Sequence, residues 1–222
     1  HKEYRRQRQM CIRDRLYTQP HYQPAADTDV FDLVDRTVLG TLITAHPEGV
    51  AISHPVFRID RSRGPHGTLV SHVAAANDHV RFLEQGLPSI AILMDSGQYI
   101  SPSWYPGYPQ RDSAPTWGFM VAHFHGRPAL LSRDDTVRHL ADLVAHMERG
   151  REQPWQMKEL GPGGVERRVP RIVAFEIPVA SCEIKFKLGQ DERPADMRGA
   201  ADQLRRDDHP ALAQAIERHC KL

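Results

Sequence analysis

Two short runs of β-branched and aliphatic residues, separated by a four-residue turn, constrain the fold of this 222-residue chain most strongly. The runs cover residues 38–45 and 50–57, and His46-Pro47-Glu48-Gly49 lies between them. β-Branched residues favour strands, and a glycine at the end of a short turn can adopt the positive φ that tight hairpins need. The sequence therefore predicts a β-hairpin.

Further strands are predicted wherever a short apolar run is bounded by glycine, proline or serine. These runs cover residues 67–73, 89–94, 121–131, 172–179 and 182–188. The run at 121–131 is expected to bend at Gly126 and Pro128, since proline cannot donate to a strand ladder. A turn is expected at 178–181, between the last two runs.

Three segments carry helix signals, in each case a side chain that can cap the helix followed by apolar residues at helical spacing. The capping residues are Asn77, Ser132 and Asp208, and the longest segment covers 132–150. Its apolar stripe consists of Val137, Leu140, Val144 and Met147. Many hairpin-like strands with helices grouped late favour a mainly β fold with added helices (α+β), a β-barrel with C-terminal helices from about residue 191.

Charge is unevenly distributed along the chain, although the totals of 29 Lys+Arg and 28 Asp+Glu nearly balance. Residues 1–15 hold six bases and two acids, a net charge of +4, so the other 207 residues hold 23 bases and 26 acids, a net charge of −3. This slightly acidic body excludes the basic surface that nucleic-acid-binding domains use. Direct nucleic-acid binding by the folded region is therefore not expected.

The basic tail, residues 1–15, is expected to be a disordered, solvated arm, because it has little apolar content and no periodicity. A nucleic-acid-binding arm is the alternative interpretation. Its string QMCIRDR is typical of translated sequencing-adapter DNA, which would place the natural start near Leu16. The predicted organisation is this tail followed by a single domain over residues 16–222.

A cytoplasmic protein is predicted, since there is no apolar run near the length of a bilayer span and no apolar signal-peptide core. The three cysteines (Cys11, Cys182 and Cys220) are far apart and form no CxxC motif. Neither a zinc site nor a disulfide scaffold is therefore indicated.

Aromatic residues and prolines are concentrated in residues 99–119, which hold six of the sixteen aromatic residues and four of the seventeen prolines. Proline makes both a helix and a central strand improbable through this segment. Disordered segments are poor in aromatic residues, so we expect these rings to pack in the core, against a partner subunit or against a flat ligand.

Polar residues on the predicted strands offer two kinds of site. His123 and His125 share a strand face, but no carboxylate lies at ligand spacing, so a metal site is disfavoured. Lys185 and Lys187 alternate with Phe186 and therefore share one face of a strand. They form either a solvated strand edge or the cationic wall of a pocket for a phosphate or acidic group.

Several segments lie in register from about Leu16 to Gly199: LYTQPHYQ, GTLITAHPEGVAISHPVF, GTLVSHVAAAN, QYISPSWYP, PTWGFMVAHFHGRPALL and RIVAFEIPVASCEIKFKLGQDERPADMRG. Together they resemble the PaiB-type FMN-binding negative transcriptional regulator family. The resemblance implies a split β-barrel of the flavin-reductase and pyridoxamine-phosphate-oxidase type. It also implies a homodimer with the flavin near the subunit interface, and a role in repressing protease production and sporulation.

The same resemblance implies a set of FMN-binding residues, with no catalytic residue and no metal ligand assigned. Hydroxyl groups would bond the phosphate or the ring, Trp104 or Trp117 would stack on the isoalloxazine, and the lysines would supply positive charge. The candidate set is Ser53, His54, His72, Asn77, Ser101, Ser103, Trp104, Thr116, Trp117, Lys185, Lys187 and Gln190.

This chain departs from the family pattern at positions that change charge. Ala75 stands where the family has arginine, Tyr108 where it has lysine, and Asp191 where it has asparagine. Gly118 replaces an asparagine, and Gly189 replaces a serine. Since a flavin phosphate needs cations or N–H donors, these departures predict a weaker affinity for FMN.

The function predicted from the sequence is that of a PaiB-like FMN-binding regulator that does not contact DNA directly. Two alternatives stay open. One is a flavin-dependent oxidoreductase that uses a reduced nicotinamide, with a haem-handling split barrel as a more distant version, although fold alone is weak evidence for activity. The other is a flavin-free dimeric interaction protein, which the charge departures favour.

Overall fold

The computed structural model describes residues 16–107 and 113–222, which form nine strands and six α-helices within those ranges. The strands follow the hydrogen-bonded order β2-β1-β5-β7-β9-β4-β3, with β6 paired to β7 and β8 paired to β9. Their bounds are β1 Thr41–His46, β2 Gly49–Ser53, β3 Phe57–Asp60, β4 Thr68–Ala74, β5 Ser89–Met94, β6 Gln98–Ile100, β7 Thr116–Gly126, β8 Ala129–Leu130 and β9 Ile172–Lys187.

Two of the six described helices follow the last strand, and the other four precede it in the sequence. The helices are α1 Thr28–Thr37, α2 Val80–Glu84, α3 Arg133–Met147, α4 Gly164–Arg168, α5 Pro194–Arg206 and α6 Pro210–Cys220. Short 3₁₀ segments lie at Pro20–Tyr22, Pro102–Trp104, Met157–Leu160 and Val169–Arg171. The sheet with added helices agrees with the mainly β class that the sequence predicts.

The chain forms two compact units that alternate along the sequence. The first contains the described residues up to Leu33, those from Met94 to His123, and Glu183–Leu222. Its core includes Tyr105, Met120 and Phe186, and the paired helices α5 and α6 bury Leu204 and Ile216.

The second unit contains Val34–Leu93 and Phe124–Cys182. Its core lies on the inner face of β1, β4 and β9, where Leu42, Leu69 and Phe175 are fully buried. The Phe175 ring packs edge-on against Phe57, with centroids 6.5 Å apart.

The hairpin at residues 38–57 is confirmed in its first half. β1 and β2 pair antiparallel from Leu42↔Ser53 to His46↔Gly49, and Gly49 has a φ of 145°. The prediction of one strand over 50–57 is wrong, because the chain leaves the ladder after Ser53. Pro55 has no N–H to donate, its carbonyl accepts from Gly40 N, and Phe57 then begins β3.

The predicted break at residues 178–181 does not exist. β9 continues for 16 residues because its pairing with β4 extends to Thr68↔Pro178, and Val179 N then donates to the Gly67 carbonyl. Pro178 therefore lies near the end of the β4 ladder, where its missing N–H is tolerated. The predicted break after residue 126 is present, since β7 ends at Gly126 and β8 begins at Ala129.

The helices differ from the predictions mainly at their starts. Ser132 caps α3 as predicted, with its Oγ 3.1 Å from Asp135 N. In α2 and α6, His79 and His209 occupy the N-cap positions instead of Asn77 and Asp208, without a side-chain capping bond. Asp208 has a φ of 63° and lies outside α6, which begins with proline. Helix α1 was not predicted, although Val30, Leu33 and Val34 have helical spacing.

The aromatic segment 99–119 contains more regular structure than proline content suggests. β6 ends at Ile100, and β7 begins at Thr116, directly after Pro115, and takes a central place in the sheet order. The prediction that this segment avoids a central strand is therefore wrong at its C-terminal end. Tyr108, one of the departures from the family pattern, lies outside the described residues.

Candidate functional site

A cavity of about 180 Å³ in the first unit brings together several of the predicted flavin residues. Thr116, Trp117 and Lys187 line it, together with Gly118. The Lys187 ammonium donates a hydrogen bond to Thr116 Oγ1, which joins the end of β9 to the start of β7. No ion pair with a carboxylate is formed by Lys187 among the described residues, so its other N–H donors can serve a ligand.

Lys185 has a different environment although it shares its strand face with Lys187. Its ammonium lies over three aromatic rings, those of Tyr17, Tyr22 and Phe119, at 4.9, 5.8 and 5.7 Å from the ring centroids. Cation–π contacts of this kind hold a charged side chain in place. The two lysines, indistinguishable in the sequence, are therefore distinguished by their neighbours.

Gln190 shapes the turn that closes the cavity. Its side-chain nitrogen donates to the Phe186 carbonyl at 2.5 Å, and its side-chain oxygen accepts from Leu188 N at 2.8 Å. Both polar atoms of this amide are thus used within the chain. The structure gives Gln190 a role in positioning the residues after Lys187.

The exposed aromatic residues of the first unit lie next to each other on β6 and β7. Tyr99 and Trp117 are directly opposite in the antiparallel pair and are 46% and 50% exposed. Trp104 contacts the Tyr99 ring edge-on, with centroids 6.5 Å apart. The Trp117 indole N–H donates to the Ser96 carbonyl at 3.2 Å, so this exposed ring has a fixed orientation.

Gly97 makes that arrangement of Trp117 sterically possible. Its φ is +57°, and a Cβ at this position would lie 2.6 Å from Trp117 Nε1 and 2.3 Å from the Gly118 carbonyl oxygen. Side chains are excluded at such distances, so only glycine allows the indole to approach this turn.

Ser101 and Ser103 form a local capping arrangement. Ser101 Oγ accepts from Ser103 N at 3.2 Å, and the two hydroxyl oxygens are 2.7 Å apart. Ser101 thereby caps the 3₁₀ segment Pro102–Trp104. The structure brings these two predicted residues together and leaves Ser103 exposed.

Ser53 and Asn77 belong to a buried polar network in the second unit. Asn77 Nδ2 donates to Ser53 Oγ at 3.1 Å, and Ser53 Oγ lies 3.0 Å from His79 Nδ1. His79 Nε2 lies 2.8 Å from Thr44 Oγ1, which is 2.6 Å from Ser89 Oγ. The polar atoms of both predicted ligand residues are therefore engaged inside the protein.

The end of this network fixes the tautomer of His79. Ser89 Oγ donates to the Leu87 carbonyl at 2.9 Å, so Ser89 must accept the Thr44 proton. Thr44 then accepts from His79 Nε2–H, and Nδ1 accepts from Ser53. With a neutral imidazole, every polar group of this network has a hydrogen-bond partner. Burial, and to a lesser extent the nearby His46, lowers the pKa of His79.

His54 and His72, the remaining predicted residues of the second unit, have separate partners. His54 is exposed, and its Nδ1 lies 3.1 Å from Thr41 Oγ1. His72 Nδ1 lies 3.0 Å from Nε2 of His139, a buried residue of α3. Burial lowers the pKa of His72, and burial together with the charge of His72 lowers that of His139 to about 4.

These neutral histidines predict a loss of stability in mild acid. Because the pKa values of His72, His79 and His139 are lowered in the folded state, the unfolded chain binds more protons below its ordinary histidine pKa of about 6.5. The free energy of unfolding should therefore fall between pH 7.5 and 5, and His139 alone contributes on the order of 1–2 kcal/mol. Urea unfolding at several pH values measures this.

The matched variant for this measurement is His139→Gln, which keeps a hydrogen-bonding amide beside His72 and removes one titrating group. Its stability should depend less steeply on pH than that of the wild type over the same range. Parallel curves for the two proteins would contradict the assignment of this slope to His139.

Sequence reasoning missed two residues that the structure makes prominent, His79 and His139. Both are buried, and only their contacts with distant strands reveal them. In the described part of the chain, no group of three or more potential ligands is arranged around a metal position. Nor does any described helix combine the length and apolarity that crossing a membrane requires.

Residues 16–181 match the family model described as "Putative FMN-binding domain". This match covers well over half of the chain. The chain belongs to this family. The resemblance to the PaiB type is confirmed by a curated relative from Bacillus subtilis (strain 168), "Protease synthase and sporulation protein PAI 2". The two are 23% identical over 202 residues, which cover 91% of this chain and 95% of the relative.

Solved structures support the split-barrel fold. The FAD and heme binding protein from Mycobacterium smegmatis matches with a TM-score of 0.55 and 16% identity, covering 76% of this chain and 74% of that one. The flavocytochrome Anf3 from Azotobacter vinelandii matches with a TM-score of 0.52 and 15% identity, covering 79% and 75%. At these identities the likeness concerns the fold alone.

Proposed function

We propose that this family member binds FMN, with the phosphate end of the flavin at Lys187 and Thr116. The observation that carries the proposal is the Lys187 ammonium, which lines a cavity with a single hydroxyl partner and no ion pair among the described residues. A phosphate monoester carries a charge near −2 and is bound by charged donors. The lysine and the threonine hydroxyl supply that chemistry.

The aromatic residues beside this cavity suit the ring end of the flavin. Trp117 lines the cavity, is half exposed and is held by its bond to Ser96. A fixed, exposed indole offers a flat apolar surface on which an isoalloxazine could stack. Trp104 and Tyr99 extend the same aromatic surface, and Ser101 and Ser103 lie directly after β6.

The size of the cavity supports the participation of a second copy of the chain. Pockets that enclose ligands of this size usually measure about 300–1,000 Å³, and this cavity measures about 180 Å³. Most of a bound flavin would therefore lie outside this cavity and would need further protein surface to enclose it. We infer that a homodimer supplies it.

An exposed apolar sheet face in the second unit supports the homodimer. On the outer face of β1, β2 and β5, Ile43 lies directly opposite both Ile52 and Ile90. Val50 and Ile52, on the edge strand β2, are 57% and 58% exposed. Apolar patches of this kind on monomers commonly mark interaction sites, and a flat sheet face can pack against its own copy.

The proposed regulatory role rests on the Bacillus subtilis relative, whose name refers to protease synthesis and sporulation. Direct DNA contact is a poor explanation of such a role here, because the charge of residues 16–222 is −3 and DNA affinity depends largely on cationic contacts with phosphate. We propose that regulation instead depends on the bound flavin and a protein partner.

The proposal predicts that Lys187→Met weakens FMN binding by roughly 10- to 100-fold. Loss of a charged hydrogen bond costs about 1.5–3 kcal/mol, and about 1.4 kcal/mol corresponds to a tenfold change in affinity. Methionine preserves the unbranched side chain, so the packing of the strand should be retained. Quenching of flavin fluorescence on titration with each protein measures the dissociation constants.

Lys185→Met is the matched control, because the same charge is removed from a neighbouring lysine that lies among three rings. Its effect on FMN affinity should stay within about threefold. Equal effects of the two substitutions, or unchanged binding by Lys187→Met, would contradict the placement of the phosphate.

A further inference from the structure

The cavity that holds Lys187 has an excess of negative charge. Asp191 and Glu192 line it as well, and no other charged residue within 16–107 and 113–222 does. One cation therefore faces two carboxylates, which gives a formal charge of −1 within about 180 Å³. The two carboxylates therefore weaken the attraction that Lys187 exerts on a negatively charged ligand.

Asp191 is held at this position by two adjacent residues, His21 and Tyr22, that contact one of its carboxylate oxygens. The Tyr22 hydroxyl donates to Asp191 Oδ2 at 3.2 Å, and His21 Nε2 lies 3.7 Å from the same oxygen. The Gln190 side chain, bonded to both Phe186 and Leu188, fixes the turn that precedes it. In the described part of the chain, Glu192 has no comparable side-chain anchor, and its backbone N–H donates to the Gly189 carbonyl.

The charge of Asp191 acts on its neighbours. Burial, then the charge of Asp191, raises the pKa of the Tyr22 hydroxyl. Burial and the same carboxylate raise the pKa of the Cys220 thiol to about 11. In both groups, Asp191 disfavours the formation of a second negative charge, and a phosphate in the cavity would meet the same field.

Building on the proposed function, we propose that Asp191 sets the charge selectivity of the flavin site by opposing the phosphate dianion held at Lys187. In a largely solvated site, repulsion between this carboxylate and a phosphate dianion in the same cavity changes the affinity on the order of tenfold. A flavin without a phosphate does not experience this repulsion. Asp191 thus reduces the difference between the affinity for FMN and the affinity for riboflavin.

The test compares FMN with riboflavin on the wild type and on Asp191→Asn, by quenching of flavin fluorescence. Asparagine keeps a carbonyl oxygen that accepts from Tyr22, so the turn should be retained. We expect FMN to bind the variant about tenfold more tightly and riboflavin to bind both proteins equally. Glu192→Gln is a second variant. It should also bind FMN more tightly than the wild type, but with a smaller gain than Asp191→Asn, because the Glu192 side chain is not anchored.

Asp207→Asn is the control, since Asp207 is an exposed acid at the end of α5 that does not line the cavity. It should change neither affinity. Unchanged FMN binding by Asp191→Asn, or an equal gain for FMN and riboflavin, would overturn this inference while leaving the proposed function intact. Failure of all these proteins to bind either flavin at 1 mM would overturn the proposed function and this inference with it.

Discussion

Replacement of His79 by leucine is expected to lower the free energy of unfolding by about 3 kcal/mol. His79 is 2% exposed and connects Ser53 to Thr44 through its two ring nitrogens. Leucine removes both bonds, so the Ser53 hydroxyl keeps only the longer contact to Asn77 Oδ1, at 3.4 Å, as an acceptor, and the Thr44 hydroxyl loses its donor. Each buried polar group left without a partner costs about 1–3 kcal/mol.

Urea unfolding followed by circular dichroism measures this loss, with an unchanged denaturant dependence if both proteins unfold in two states. His66→Leu is the matched control, because His66 is exposed in the loop before β4. It should change stability by no more than about 0.5 kcal/mol. A loss below about 1 kcal/mol for His79→Leu would contradict the assignment of the network as a fully bonded unit.

Replacement of Ile43 by glutamate is expected to convert the proposed dimer to monomer. Ile43 lies at the centre of the isoleucine row, between Ile52 and Ile90, and glutamate there would bury an unpaired charge in the interface. We expect the dissociation constant of the dimer to rise at least about 100-fold. The monomer should stay folded, since the Ile43 side chain lies on the outer face of the sheet.

Analytical ultracentrifugation of wild type and variant over a range of concentrations measures this change. Met147→Glu is the control, because it places the same charge on a half-exposed apolar residue of α3. That variant should remain dimeric. A wild-type protein that sediments as a monomer at about 100 μM would refute the proposed dimer, since stable homodimers dissociate far below that concentration.

Local patterns predicted the elements whose residues are constrained by near neighbours. The β1–β2 hairpin follows from two β-branched runs and Gly49, and β5 coincides with the apolar run at 89–94. The Ser132 cap follows from its spacing to the first turn of α3. In these elements, local preference and tertiary packing favour the same conformation.

The errors occur where distant pairing overrides local preference. Pro178 suggests a turn, but pairing with β4 extends the strand past it. Proline-rich sequence before Thr116 suggests a loop, yet β7 begins immediately after Pro115. Neither outcome is encoded within a short window, because the partner strand lies far away in the sequence.

The candidate site was predictable in residue type but only partly in arrangement. Lys185 and Lys187 are equivalent in any alternating pattern, and the rings around Lys185 and the Thr116 bond of Lys187 separate them. Ser53 and Asn77 look like ligand donors in the sequence, but their bonds to each other and to His79 occupy them internally. The family resemblance supplied the flavin as the proposed ligand, and the structure supplies the charges around the cavity proposed for its phosphate.

Isothermal titration of the wild-type protein with FMN tests the central claim most directly. The account predicts saturable binding of one FMN per chain, with a dissociation constant below about 100 μM, corresponding to roughly −5.5 kcal/mol or better. Binding should be accompanied by a shifted flavin absorption spectrum, since stacking on an indole changes the environment of the ring. An absence of saturable binding up to 1 mM FMN would contradict the account.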